Sequence, residues 1–235
     1  MTAFNSGATS VLATSRRQTM SIPLSRTLLA AILFVIPLAA ASAQESGGSA
    51  APATAAQEMP DWFKRGLPGP GHAALEPLVG LWRVHFEIHG SLGRSPNDAP
   101  LVSDDVFCRR EWVAGGRYIE DTTEGTIEGG PYWRRGWLGY SNMDRRYEWV
   151  TIDATNSTMM TYVGERGSGN QRPIDMKGEF TDQGVAGEAA VGKRVPMRTE
   201  IHIDDNDHHT IDLYFTPPGK SEVLATRAVY TRLGK

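Results

Sequence analysis

Between Gly80 and His89 the chain alternates strictly: Trp82, Val84, Phe86 and Ile88 are apolar, and Arg83, His85, Glu87 and His89 between them are polar. Successive side chains of a β-strand point to opposite faces, so this segment reads as a strand with one dry and one wet face. The rest of the chain repeats short segments of this kind between turn residues and shows no sustained helical period. An all-β fold is predicted, with strands near 81–89, 101–113, 117–126, 132–141, 146–153, 158–164, 173–180, 194–203, 209–215 and 223–232. The joints carry Gly115-Gly116, Gly129-Gly130-Pro131, Asn142-Met143-Asp144, Gly167-Ser168-Gly169-Asn170, Asp204-Asp205-Asn206-Asp207 and Pro217-Pro218-Gly219. Gly, Asn and Asp tolerate the positive φ of tight hairpins. Connections this short favour sequential antiparallel pairing, and closure removes the two exposed edges. The reading is a ten-stranded antiparallel up-and-down β-barrel, with short helical turns at 61–64 and 72–78 placed to plug one end.

The first 43 residues carry Arg16, Arg17 and Arg26, no acidic residue, and an apolar run from Leu28 to Ala40 followed by Ala41-Ser42-Ala43. That order is a cleavable secretory signal peptide with an A-x-A site. A membrane anchor is the alternative, but the run is about 13 residues and holds Pro37, against the ~20 that a spanning helix needs. Met20 is an alternative start, since Met20 to Ala43 alone has the form of a signal. Arg16-Arg17 also admits a twin-arginine route. Residues 44–59 form a Ser, Gly, Ala and Pro tract that reads as a flexible linker, and residues 60–235 as the single barrel domain. The expected location is periplasmic or secreted, with no stable membrane insertion of the mature chain.

Removing the three arginines of the leader takes the formal charge from −3 to −6, and no basic patch for nucleic acid is implied. Cys108 is the sole cysteine, which excludes an intramolecular disulfide. In an oxidising compartment an exposed thiol is a liability, so Cys108 reads as a small buried residue.

Gly80-Leu81-Trp82 at the start of the first strand, with Thr231-Arg232 near the end of the last, resembles the calycin arrangement of lipocalins and fatty-acid-binding proteins. That resemblance implies structural roles for Trp82, closing one barrel end, and for Arg232, lying over it. Leu75 to Trp82, Gly115-Gly116-Arg117-Tyr118, Leu138 to Asn142, Tyr147 through Asp153, Met159-Met160 and Asp205 to His209, in that order, resemble a bacterial family catalogued as domain of unknown function 1579. The resemblance covers about residues 72–233. It implies a lipocalin-like barrel and brings no established activity, so it carries over no catalytic residue. One departure is visible: the family usually places a Trp two residues before the Asp matching Asp153, where this chain has Thr151.

Polar residues at strand centres either face water or orient a ligand in a pocket. Arg110, Arg117, Tyr140, Asp153, Arg198 and Tyr214 are the candidate ligand-binding residues. An Arg-lined interior would suit a ligand with an apolar body and a carboxylate. Outward charges or one internal Arg-Asp pair are the competing account. His85 and His89 share a face but lie about 13 Å apart at ~3.3 Å per residue, too far to hold one zinc. His208 and His209 adjoin an Asp/Asn-rich turn and are read as solvated there; if already in a strand they would point to opposite faces. H-E-x-x-H, C-x-x-C, G-x-S-x-G and a complete calcium loop are all absent from the sequence, so neither a metal nor a cofactor is implied. Trp112, Trp133, Trp137 and Trp149 are expected to fill a core, with stacking on a flat ligand as the alternative.

Three functions compete. The first is an exported protein binding a small hydrophobic or amphipathic molecule inside the barrel. The second is a small enzyme using Asp153 with a nearby Tyr or Arg for acid-base chemistry. The third is an envelope interaction module with a packed barrel.

Overall fold

The computed structural model describes residues 58–89, 97–185 and 187–234. The leader and nearly all of the linker predicted above lie outside the described residues. Ten strands form the domain: β1 (Gly80–Ile88), β2 (Leu101–Val113), β3 (Tyr118–Ile127), β4 (Gly130–Ser141), β5 (Arg146–Asp153), β6 (Met160–Val163), β7 (Ile174–Thr181), β8 (Arg194–Ile203), β9 (His208–Phe215) and β10 (Val223–Gly234). Each pairs antiparallel with its sequence neighbours, and β1 pairs with β10, so the sheet closes on itself as an up-and-down barrel. Closure leaves the sheet without an edge strand.

Alternation decides what faces inward. Along β1, Trp82, Val84 and Phe86 are buried while Leu81 and Arg83 are exposed. On β8 the buried parity is Val195, Met197, Thr199 and Ile201. Among the described residues three irregularities interrupt the ladders: where β1 meets β10 between Leu81 and Trp82, where β1 meets β2 between Val84 and Phe86, and where β10 meets β9 between Leu224 and Thr226. Bulges of this kind sharpen the local twist that a small barrel needs. The β4–β5 register is regular from Arg134 opposite Asp153 to Ser141 opposite Arg146. Thr151 is therefore an inward residue, and it is buried.

Gly136 is required by a close approach. A Cβ there would lie 2.7 Å from the Val150 carbonyl oxygen and 2.8 Å from Trp149 Nε1, so the indole packs directly over the bare backbone of β4. At the β2–β3 turn, Gly115 and Gly116 have φ of 66° and 79°, the left-handed region that Gly enters without steric cost.

Before β1 come α1 (Asp61–Arg65), α2 (Pro70–Ala73) and a 3₁₀ turn at Glu76–Leu78. Leu75 and Leu78 are fully buried with Trp82 in the main core. The Trp82 indole donates to the Leu78 carbonyl at 3.0 Å. The Arg232 guanidinium lies 4.1 Å from the Trp82 ring centroid and donates to the carbonyls of Val79 and Pro77, both at 2.7 Å. A planar fork that spans two carbonyls while stacking on an indole is a task for Arg rather than Lys. No helix among the described residues is long and apolar enough to cross a membrane.

Candidate functional site

At the end of the barrel away from Trp82, the interior holds a cavity of about 350 Å³. Its mouth lies at the β3–β4 turn and the loop after β5, where Ile127, Pro131, Asp153 and Thr155 contribute to the lining. The walls are aromatic and aliphatic. Phe86 and Tyr132 meet at 5.6 Å between centroids, Trp149 and Tyr162 at 5.5 Å, Phe180 and Phe215 at 4.9 Å. Apolar pockets with a few placed polar groups are the usual form of a small-molecule site.

Arg134 is the cation on the lining, which also carries Glu128 and Asp153, and it belongs to a cluster between the cavity and the Trp82 end. Asp121 is its centre. Oδ2 accepts from Arg110 Nε at 2.7 Å, and Oδ1 accepts from the Thr123 hydroxyl at 3.0 Å and from Arg134 Nη2 at 3.4 Å. Burial alone would raise the Asp121 carboxyl, but the Arg134 and Arg110 guanidiniums and the bonds from Arg110 and Thr123 hold it down to about 2. Arg110 Nη1 lies 2.6 Å from His209 Nε2. The His209 ring stacks on Tyr230 at 4.3 Å and meets Trp82 edge-on at 4.3 Å. Burial, then the charges of Arg110 and Arg232, push the imidazole well below its ordinary range. It is neutral, and Nε2 accepts from Arg110.

Donors exceed acceptors here. Arg110 Nη2, Arg134 Nε, Trp149 Nε1 and His209 Nδ1 are buried and meet no acceptor among the described residues. Arg134 also leans over the Trp149 ring at 5.1 Å.

Of the six residues predicted to bind a ligand, two lie at this site. Arg110 is inside the barrel beneath the cavity, and Asp153 is on the rim. Asp153 Oδ1 accepts from the backbone N–H of Thr155 at 2.7 Å, its hydroxyl at 2.6 Å and the backbone N–H of Asn156 at 3.2 Å, so this carboxylate caps the loop after β5. Arg117 and Tyr140 lie at the opposite end, where Arg117 Nε donates to the Gly66 carbonyl at 2.9 Å and the Tyr140 ring packs on His72 and Tyr147. Both line a second pocket of about 380 Å³, between the helical segment and the start of β3 and end of β4, rather than the interior cavity. Arg198 and Tyr214 stand on the outer face, because their parity is opposite to that of buried Met197, Thr199 and Phe215. There Arg198 bonds Asp175, Glu200 and Glu222, and its guanidinium covers the Tyr214 ring at 4.1 Å. Glu200, His202 and Asp212 also gather on that face, with Glu200 bonded to Arg198 and both Asp212 oxygens held by Arg227 at 2.8 Å.

Asp121 and Arg134 are the residues that sequence reasoning did not single out, and His209, read there as solvated, is buried in the same cluster. A signal existed for the first two: Asp121 shares parity with Ile119 and Thr123, and Arg134 with Tyr132 and Leu138. His208 is exposed as expected, at the first position of β9 and bonded to Asp205 of the turn. His209 is not, because β9 begins at His208 and turns the next side chain into the barrel. Among the tryptophans, Trp149 is buried, Trp112 donates to Glu76 at 2.7 Å, and Trp133 is exposed on the outer parity of β4.

The fold and its interior space define a closed ten-stranded antiparallel up-and-down barrel with a cavity. The chain belongs to the family described as protein of unknown function DUF1579, whose model matches residues 67–232. In structure the chain is similar to Rv2717c from M. tuberculosis, with a TM-score of 0.46 and 18% identity over 70% of this chain and 98% of that one. It is also similar to the S-type phycobiliprotein lyase CPES from Guillardia theta, at 0.42 and 12% over 74% of this chain and 97% of that one. A third likeness is to EF1p2_mFAP2b bound to DFHBI, at 0.33 and 12% over 70% and 99%. No curated protein matches the chain.

Proposed function

We propose that this protein is an exported binding protein that holds a small hydrophobic or amphipathic molecule in the barrel cavity. The observation that carries the reading is the cavity of about 350 Å³, walled largely by aromatic and aliphatic side chains and bordered by Arg134, whose side chain is 13% exposed. An apolar molecule entering it leaves water for the walls, which is favourable in proportion to the area covered. A packed interaction module accords less well with an interior of this volume. The acid-base reading is weakened by Asp153, whose Oδ1 is committed to its own loop. Export rests on the basic, then apolar, then Ala-Ser-Ala order of residues 1–43 and places the mature chain in the periplasm or outside the cell.

Native mass spectrometry of the chain purified from its host's envelope fraction tests the binding reading. The expected result is a discrete adduct that denaturation releases. A clean unliganded mass, with no thermal shift across lipids, aromatic acids and haem, would move the weight to the interaction module.

A further inference from the structure

The head group of that ligand is specified by the charge around Arg134. We infer that the cavity selects a hydrophobic carboxylate of about a dozen non-hydrogen atoms, with Arg134 holding its anionic end. This rests on the binding reading above and adds the chemistry of the ligand.

The argument begins with an imbalance. Arg110 and Arg134 are both inside the barrel, and an arginine side chain does not give up its proton in a protein. One carboxylate, Asp121, serves both. It lies 2.7 Å from Arg110 Nε and 3.4 Å from Arg134 Nη2, so Arg110 has the tighter share. Thr123 and neutral His209 add no charge. Burial pushes the phenols of Tyr132, Tyr162 and Tyr230 upward, so they stay protonated near neutral pH. Asp153 stands opposite Arg134 in the β4–β5 ladder, yet its contacts run to Thr155 and Asn156 at the rim, and the ion pair that Arg134 makes is with Asp121. One positive charge is left over in the inner cluster.

That charge borders the cavity. Arg134 is on the lining, and its Nε has no acceptor among the described residues. Trp149 Nε1, in a side chain only 5% exposed, is a second donor without one. A buried cation without a full partner is costly, and an anionic acceptor of matching shape relieves the cost. A carboxylate provides two oxygens to a planar fork. The walls supply the rest: most of the lining is aromatic or aliphatic, with Thr151, Thr199 and Thr226 among it and the carboxylates Glu128 and Asp153 toward the mouth, and about 350 Å³ is roughly twelve water volumes at ~30 Å³ each.

Isothermal titration of the purified protein with decanoate and 2-naphthoate, against 1-decanol and 2-naphthamide as uncharged matches, tests the inference. The acids are expected to bind at least about tenfold more tightly than their matches, the scale of hydrogen bonds to a charged group. Arg134→Met should abolish that preference while the alcohol and amide still bind. Should R134M fail to fold, Asp153→Asn decides. It keeps an oxygen for the Thr155 and Asn156 bonds and removes a negative charge facing Arg134, so it should tighten the acids by a few-fold and leave the neutral probes unchanged. Equal affinities for acid and neutral match in the wild type would overturn the inference and leave the binding reading standing. Absence of binding by all four probes would overturn both.

Discussion

Asp121 Oδ2 accepts a hydrogen bond from Arg110 Nε at 2.7 Å, with both side chains buried inside the barrel. Its carboxyl is held down to about 2 from an ordinary value of 3.8. A depressed carboxyl contributes stability above the unfolded-state pKa and loses it as pH falls toward the folded one. The window is therefore about pH 4 to 2, and the contribution is about 2 kcal/mol at 1.36 kcal/mol per unit. Asp121→Asn strands two guanidiniums and is expected to cost about 3–5 kcal/mol. Urea unfolding at pH 7 and at pH 3 checks both statements, since the variant should lose less than the wild type on acidification.

His209 sets a second pH dependence at milder acidity. Burial and the neighbouring Arg110 and Arg232 keep it neutral in the folded state, whereas the unfolded imidazole takes up a proton below about pH 6.5. The unfolded state then binds more protons, so stability falls as pH falls below 6.5, by about 2 kcal/mol at pH 5. His72 is displaced in the same direction by burial and Arg117, while His85 is displaced upward mainly by its bond to Asp104. His209→Gln should flatten the slope between pH 5 and 7 in a denaturation series without removing it.

Filling the cavity should separate binding from folding. Ala228 is buried on β10 and lines the cavity. Ala228→Phe places a ring in that space, so ligand-induced thermal shifts should vanish while the unliganded protein stays folded. Cavity filling at a compatible site adds about 0.5–2 kcal/mol, and the melting temperature of the free variant should hold or rise. A variant that binds as before would move the site elsewhere.

Cys108 should be chemically silent until the barrel opens. Burial pushes its thiol up to about 12, and the Sγ lies 3.5 Å from Asp121 Oδ2. Since the thiolate is the reactive species, an aromatic disulfide reagent should leave the native protein unlabelled for hours and label one thiol promptly in urea. Rapid labelling of the native state would show that the Arg110–Asp121 layer opens readily.

Much of the barrel was readable from alternation and turn chemistry. The expected segments 101–113, 146–153 and 194–203 coincide with β2, β5 and β8, and the others agree within three residues. β6 is shorter than expected because Met160–Val163 alone completes ladders to both neighbours. Parity also carried the inside or outside of single residues: Arg198, between Met197 and Thr199, could be placed on the outer face from its neighbours. The two-arginine step Arg134-Arg135 was less tractable, since one of the pair must face inward in a regular strand and apolar residues stand on both parities, Tyr132 and Leu138 with Arg134 but Trp133 and Trp137 with Arg135.

By itself the sequence determined the strands, their order and the alternation of dry and wet faces, because those depend on neighbours a few residues apart. The tertiary structure alone decided that Arg110, Asp121, Arg134 and His209 share one layer beneath a cavity. Arg110 reaches a histidine 99 positions away, and that meeting depends on how β1 and β10 close the barrel and on the depth each ladder register assigns. Local alternation carries the face a side chain occupies but no information about depth, and depth is what sets Arg110 level with Asp121 across the β2–β3 ladder and within reach of His209.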